Sequence, residues 1–149
     1  MSADQPVRIA MWSGPRNIST AMMRAFENRG DCAVSDEPFY SAYLTQTGLA
    51  HPMRAEVIAS QPADPRDVER QVLGPVPGGK ALWYQKHMSH HMLPGMDLGW
   101  IGRVTNAFLI RSPAAVLASY SARRADFTLE EIGFPQQAEI FERAAQRLG

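Results

Sequence analysis

Hydrophobic and polar positions change period several times along the chain, and each change marks an element. Val7 to Ser13 (VRIAMWS) is an apolar run that stops at Gly14-Pro15, the pattern of a buried strand entering a loop. From Ile18 the spacing becomes helical: Ile18, Ala21, Met22, Ala25 and Phe26 share one side, Arg24, Glu27 and Asn28 another, and Gly30 provides a stop. A second apolar run, Cys32 to Ser35, ends in Asp36-Glu37-Pro38, so the first 40 residues read as a βαβ unit with parallel strands. Helical spacing returns at Phe39 to Thr47 and Arg66 to Val72, separated by segments marked by Pro52, Pro62 and Pro65. After the breaker-rich stretch Gly74 to Gly79, Ala81 to Lys86 and Asn106 to Arg111 are predicted strands. Ser112 is placed to cap a helix that has Pro113 at its first position, where proline lacks only an N–H that would be unpaired anyway. Thr128 to Ile132 and Pro135 to Leu148 complete the predicted helices.

Strands alternating with helices predict an α/β fold with a mainly parallel sheet between helical layers. The 149 residues are the size of one domain, 1–149, without an internal repeat or a linker. Fifteen basic residues balance fifteen acidic ones, which argues against the electrostatic footprint of a nucleic-acid binder. No apolar run approaches the roughly 20 residues of a membrane-spanning helix, and Met1 to Arg8 does not read as a signal peptide, so a cytoplasmic protein is expected. The single cysteine, Cys32, reads as an unpaired buried thiol. Of the 15 basic residues only Lys80 and Lys86 are lysines, so anion binding falls mainly to guanidinium groups, which keep their charge and contact phosphate through two N–H groups at once.

Two stretches have the makings of anion sites. Gly14-Pro15-Arg16-Asn17-Ile18-Ser19-Thr20 joins the first strand to the first helix, where free backbone N–H groups and the helix dipole favour negative charge. Arg16 adds a full charge, and Ser19 and Thr20 add hydroxyls. The stretch lacks the G-x-x-x-x-G-K-[ST] pattern, which lowers the standing of a small-molecule kinase. The second stretch is Arg111 at a strand end followed by Ser119 two turns into the next helix, spaced to grip one phosphate from two sides.

Together these motifs resemble the sulfotransferase family, in its bacterial-type branch. That family moves a sulfuryl group from 3′-phosphoadenosine-5′-phosphosulfate (PAPS) on a three-layer P-loop-like α/β fold. PRNIST at Pro15 to Thr20 matches the family's Pro-Arg-x-x-Ser-Thr loop, and IRSPAAVLAS at Ile110 to Ser119 matches its 3′-phosphate motif. The resemblance implies that Gly14, Pro15, Arg16, Asn17, Ile18, Ser19 and Thr20 hold the 5′-phosphosulfate and that Arg111 and Ser119 hold the 3′-phosphate. Arg16 would also stabilise the charge on the departing phosphate. PAPS is then the donor, a small-molecule hydroxyl or amine the acceptor, and no metal is required.

For the proton leaving the acceptor the candidates are Glu37, in Asp36-Glu37-Pro38-Phe39-Tyr40, and His87. In the family's cytosolic branch a Lys-x-His supplies the base. Lys86 matches that lysine, Met88 stands where the histidine is expected, and His87 is one residue early, with His90 and His91 as further candidates. The same histidines invite a zinc reading, but neither the H-E-x-x-H glutamate nor a cysteine partner is present. Tyr40, Tyr43, Leu44, Trp83, Trp100 and Phe127 are candidates for an acceptor pocket and equally for core. Family members continue beyond the point matching Gly149 with further sheet and a basic loop over the donor. The resemblance therefore also implies a sheet edge to be covered by a partner surface or a second copy. Nucleotide binding without transfer is the alternative to catalysis.

Overall fold

The computed structural model describes residues 5–123 and 126–148. Met1 to Asp4 and Gly149, used above in reading the chain ends, lie outside them. Four strands, β1 (Val7–Ser13), β2 (Cys32–Asp36), β3 (Leu82–Met88) and β4 (Thr105–Phe108), form one sheet in the order β2-β3-β1-β4, with every pairing parallel. Seven helices accompany them: α1 (Ser19–Glu27), α2 (Tyr40–Thr47), α3 (Arg54–Ser60), α4 (Pro65–Val72), α5 (Pro113–Ser121), α6 (Leu129–Ile132) and α7 (Phe134–Leu148). Short 3-10 turns cover Ser89–His91 and Gly99–Arg103.

The sheet separates two apolar clusters, giving the three layers expected. On one face Ala10 and Trp12 of β1 pack with Val68 and Val72 of α4, Trp100, Ile101, and Ile140 and Ala144 of α7. On the other, Ile9 and Met11 pack with Tyr84 of β3 and with Met22, Met23 and Phe26 of α1. Period-two alternation in β1 sends successive side chains to the two clusters, which is why this central strand reads as one continuous apolar run. Trp12 and Trp100 are at most 1% exposed and anchor the larger cluster, and burying a large side chain of this kind contributes roughly 1.5–3 kcal/mol. Cys32 is a free buried thiol, and burial pushes its pKa up.

Several expectations need correction. The first βαβ unit is parallel, but β1 and β2 are not neighbours: β3 lies between them and pairs with both. Parallel pairing is a choice of partner made across the whole sheet, and a local pattern of periods does not carry it. The segment after Pro52 contains α3, none of whose residues is buried, so it has no apolar stripe by which to recognise it. β4 ends at Phe108, three residues short of Arg111, although Leu109 N–H still donates to Trp12 O at 2.9 Å. Ser112 occupies the N-cap of α5, with Pro113 at the first turn, but its hydroxyl makes no capping bond. Of the residues weighed as pocket or core, Tyr43, Leu44, Trp83 and Trp100 are buried, whereas Tyr40 and Phe127 are partly exposed. No helix among the described residues is long and apolar enough to cross a membrane.

Candidate functional site

The loop after β1 is shaped by close packing and unusual backbone angles. Gly14 is buried, and a Cβ placed there would stand 2.6 Å from the carbonyl oxygen of Ile132 at the end of α6. Only glycine fits under that carbonyl. Arg16 and Ile18 both adopt left-handed angles, φ 66° and 52°, a conformation that L side chains avoid and that is most costly for a β-branched residue. Ile18 is the N-cap of α1 and supplies no side-chain capping bond, so the backbone N–H groups of the first turn remain open to an anion. Asn17 Nδ2 donates to Leu109 O at 3.2 Å and ties the loop to the segment after β4, while its buried Oδ1 has no partner.

The two motifs, about 95 residues apart, meet here. Arg16 Nε donates to Ser119 Oγ at 2.8 Å, and an Arg111 guanidinium nitrogen donates to Arg16 O at 2.7 Å. Neither guanidinium meets a carboxylate among the described residues, so two exposed positive charges flank the uncapped start of α1. Ser19 is buried in the first helical turn.

A second charged group lies at the same edge of the sheet. Lys86, only 6% exposed at the end of β3, donates from Nζ to Thr20 Oγ1 at 3.1 Å and to Asp36 Oδ1 at 3.0 Å, and stands 3.7 Å from Glu37 Oε1. Lys86 thus joins the loop to the acidic turn after β2. The sequence reading matched Lys86 to the lysine of the family's Lys-x-His but gave it no role in the site, because the pairing of the loop with the acidic turn is not visible in the sequence. Glu37 is held at φ 50°, and its N–H donates to Lys86 O at 2.9 Å. Burial raises the Glu37 pKa from its ordinary value, with the Lys86 charge opposing the rise and Asp36 adding to it.

His87 is not brought to this edge. Adjacent residues of a strand face opposite sides, so Lys86 reaches the loop while His87 enters the larger apolar cluster. There it is 1% exposed, stacks on Trp12 at a centroid distance of 4.8 Å, and lies beside Phe39 and Trp100. Its Nε2 meets Gln85 Oε1 at 3.1 Å, and burial pushes its pKa down to about 3, so the ring stays neutral and out of reach of solvent. His90 and His91 form part of a separate aromatic group with Tyr40 and Tyr43, and burial also holds both well below the usual histidine pKa. No group of three or more potential metal ligands occurs among the described residues.

The parallel α/β sheet is the fold the resemblance implied, and it brings the loop after its first strand next to the arginine and serine that follow its fourth. The sequence signature of the sulfotransferase domain matches residues 7–148, and the chain belongs to that family. It is 31% identical over 133 residues to branched-chain-amino-acid aminotransferase-like protein 2 of Arabidopsis thaliana, covering 89% of this chain and 23% of that protein. It is 35% identical over 116 residues to branched-chain-amino-acid aminotransferase-like protein 1 of the same plant, covering 78% of this chain and 21% of that protein. The chain therefore spans less than a quarter of the length of these curated relatives. No solved structure matches it significantly.

Proposed function

We propose that this domain transfers a sulfuryl group from PAPS to a hydroxyl or amine of a small molecule. The observation that carries the proposal is the pair of unneutralised guanidiniums beside the uncapped N-terminus of α1: Arg16 donates to Ser119 Oγ, and Arg111 donates to the carbonyl of Arg16. Such a cluster suits a ligand with two separated anionic groups. The backbone N–H groups of Ile18 and Ser19, with Arg16 and Thr20, would hold the 5′-phosphosulfate; Arg111 and Ser119 would hold the 3′-phosphate. The unpartnered Asn17 Oδ1 is available to a donor on the same ligand.

PAPS supplies an activated sulfuryl group whose sulfur–oxygen bond to the 5′-phosphate breaks as a new bond to the acceptor oxygen or nitrogen forms. Glu37 takes the acceptor's proton, a task favoured by a carboxyl pKa that burial raises. Lys86 stands between Thr20 of the loop and Glu37, where its charge orients the carboxylate and offsets negative charge at the transferring group. Arg16 and the α1 dipole stabilise the charge that grows on the departing phosphate, as in related phosphoryl transfers. Adenosine 3′,5′-bisphosphate is then the product released.

The test is calorimetric titration with adenosine 3′,5′-bisphosphate and with AMP. Binding of the bisphosphate is expected to be tighter, and Arg111→Ala is expected to remove that preference, weakening the bisphosphate at least tenfold more than AMP. Equal weakening of both would overturn the role given to Arg111. A second reading, nucleotide binding without transfer, is favoured by the burial of His87 in the larger apolar cluster, on the sheet face opposite Lys86. Bisphosphate binding with no sulfated product from a panel of phenols, alcohols and amines would decide for it.

A further inference from the structure

The turn that carries Glu37 does not hold itself. Glu37 is a non-glycine residue at φ 50°, and such angles persist only where surrounding contacts over-determine them. Two of those contacts are backbone bonds, one to β3 and one within the turn: Glu37 N–H donates to Lys86 O at 2.9 Å, and Tyr40 N–H donates to Glu37 O at 3.0 Å. A third comes from a distant part of the chain. Gln61, the C-cap of α3, donates from Nε2 to Glu37 O at 3.1 Å and, more weakly, to Asp36 O at 3.5 Å, while its Oε1 accepts from Ser41 N–H in the first turn of α2 at 3.1 Å. The orientation of the amide is set by these partners. Reversed, its NH2 would meet an N–H and its oxygen would meet two carbonyls.

We propose that Gln61 is a positioning residue for Glu37: its amide clamps the Asp36-Glu37-Pro38 turn against the start of α2 and so holds the carboxyl beside Lys86. The proposal rests on the reading of Glu37 as the proton acceptor. It assigns a purpose to the segment from Pro52 to Pro62, whose helix α3 has no buried residue and which packs mainly on α2. Nothing in the core requires this segment, yet it delivers one polar side chain to the one strained residue of the acidic turn.

The groups facing the Glu37 carboxyl are Lys86 from β3, Asp36 from its own turn and Tyr40 from α2. Burial is the largest influence and raises the pKa while the Lys86 charge lowers it, so a loosened turn that admits water and draws the carboxyl away from Lys86 changes both and displaces its titration. The test compares Gln61→Met, which keeps length and loses every hydrogen bond, with Gln61→Asn, which keeps the amide and falls one methylene short. In both, the Glu37 pKa read by carbon-13 NMR of the side-chain carboxyl is expected to shift from that of the unmodified chain, and the acidic limb of the kcat profile to move with it. At neutral pH kcat is expected to drop tenfold or more, while the affinity for adenosine 3′,5′-bisphosphate stays within twofold. A fall in melting temperature with Glu37 titration and kcat unchanged would overturn the proposal, because a merely structural role would move stability alone. If the unmodified chain neither binds the bisphosphate nor transfers sulfate, the proposed function fails, and the carboxyl titration still decides whether Gln61 positions Glu37.

Discussion

At the scale of single residues, proton transfer in the proposed reaction turns on Glu37 and Lys86. Their influences on the carboxyl oppose each other: burial raises its pKa and the Lys86 ammonium at 3.7 Å lowers it, with burial the stronger. A base of this kind works only when deprotonated, so transfer is expected to rise with pH along a limb set by Glu37 and displaced upward from the ordinary glutamate value. Glu37→Gln is expected to cost about 100-fold to 10,000-fold in kcat, the usual worth of a positioned base, with bisphosphate affinity unchanged. Lys86→Met removes the lowering influence, so the acidic limb should move to higher pH. A limb that stays in place in Lys86→Met would show that another group titrates there. The same shift has a stability consequence of opposite direction. Between the unfolded and folded pKa values the folded chain holds more protons at Glu37, so this residue's contribution to stability falls as pH rises through that interval. His87 teaches a different lesson. Imidazole chemistry makes it the first histidine to consider, and its place one residue after Lys86 is what removes it, since one step along a strand reverses the face.

At the scale of elements, the anion site is a strand-to-helix joint held in a costly shape. Ile18 sits at φ 52° with 74% of its surface exposed, so it contributes little packing to offset the strain. Ile18→Gly is expected to stabilise the fold by about 1 kcal/mol, since glycine takes left-handed angles freely and is tolerated at an N-cap; a denaturant midpoint measures it. A lower midpoint would mean that the isoleucine side chain packs to more effect than its exposure indicates. Gly14 is the counterpart in which no substitution is tolerated. α6 begins with a capping box between Thr128 and Glu131, ends at Gly133, and places the Ile132 carbonyl 2.6 Å from where a Cβ on Gly14 would be. Gly14→Ala must displace either the loop or α6. A loss of about 1–3 kcal/mol is expected, the usual cost of forcing atoms into a packed site, together with weaker bisphosphate binding. Both segments were legible as elements from caps and periods. The contact between them was not, because Gly14 and Ile132 are far apart in sequence and meet through backbone.

At the scale of the whole molecule, binding should be felt as stability. A ligand that joins the loop after β1 to the segment after β4 closes contacts across the sheet and favours the folded chain alone. At 100 times its dissociation constant it adds about 2.7 kcal/mol, so adenosine 3′,5′-bisphosphate is expected to raise the melting temperature by several degrees and AMP by less at equal concentration. The absence of any shift would count against the anion site itself.

The sequence by itself determined the α/β class, the family, and the two motifs that meet at the site, because these follow from local periodicity, loop chemistry and residue spacing. It also carried Glu37 as a candidate base. Tertiary structure alone decided that β3 separates β1 from β2, that Lys86 rather than His87 reaches the loop, and that Gln61 holds the turn on which Glu37 sits. The physical reason is common to all three. Strand partners, sheet faces and hydrogen bonds between distant segments are settled when remote parts of the chain pack together, and no short stretch of sequence contains that choice.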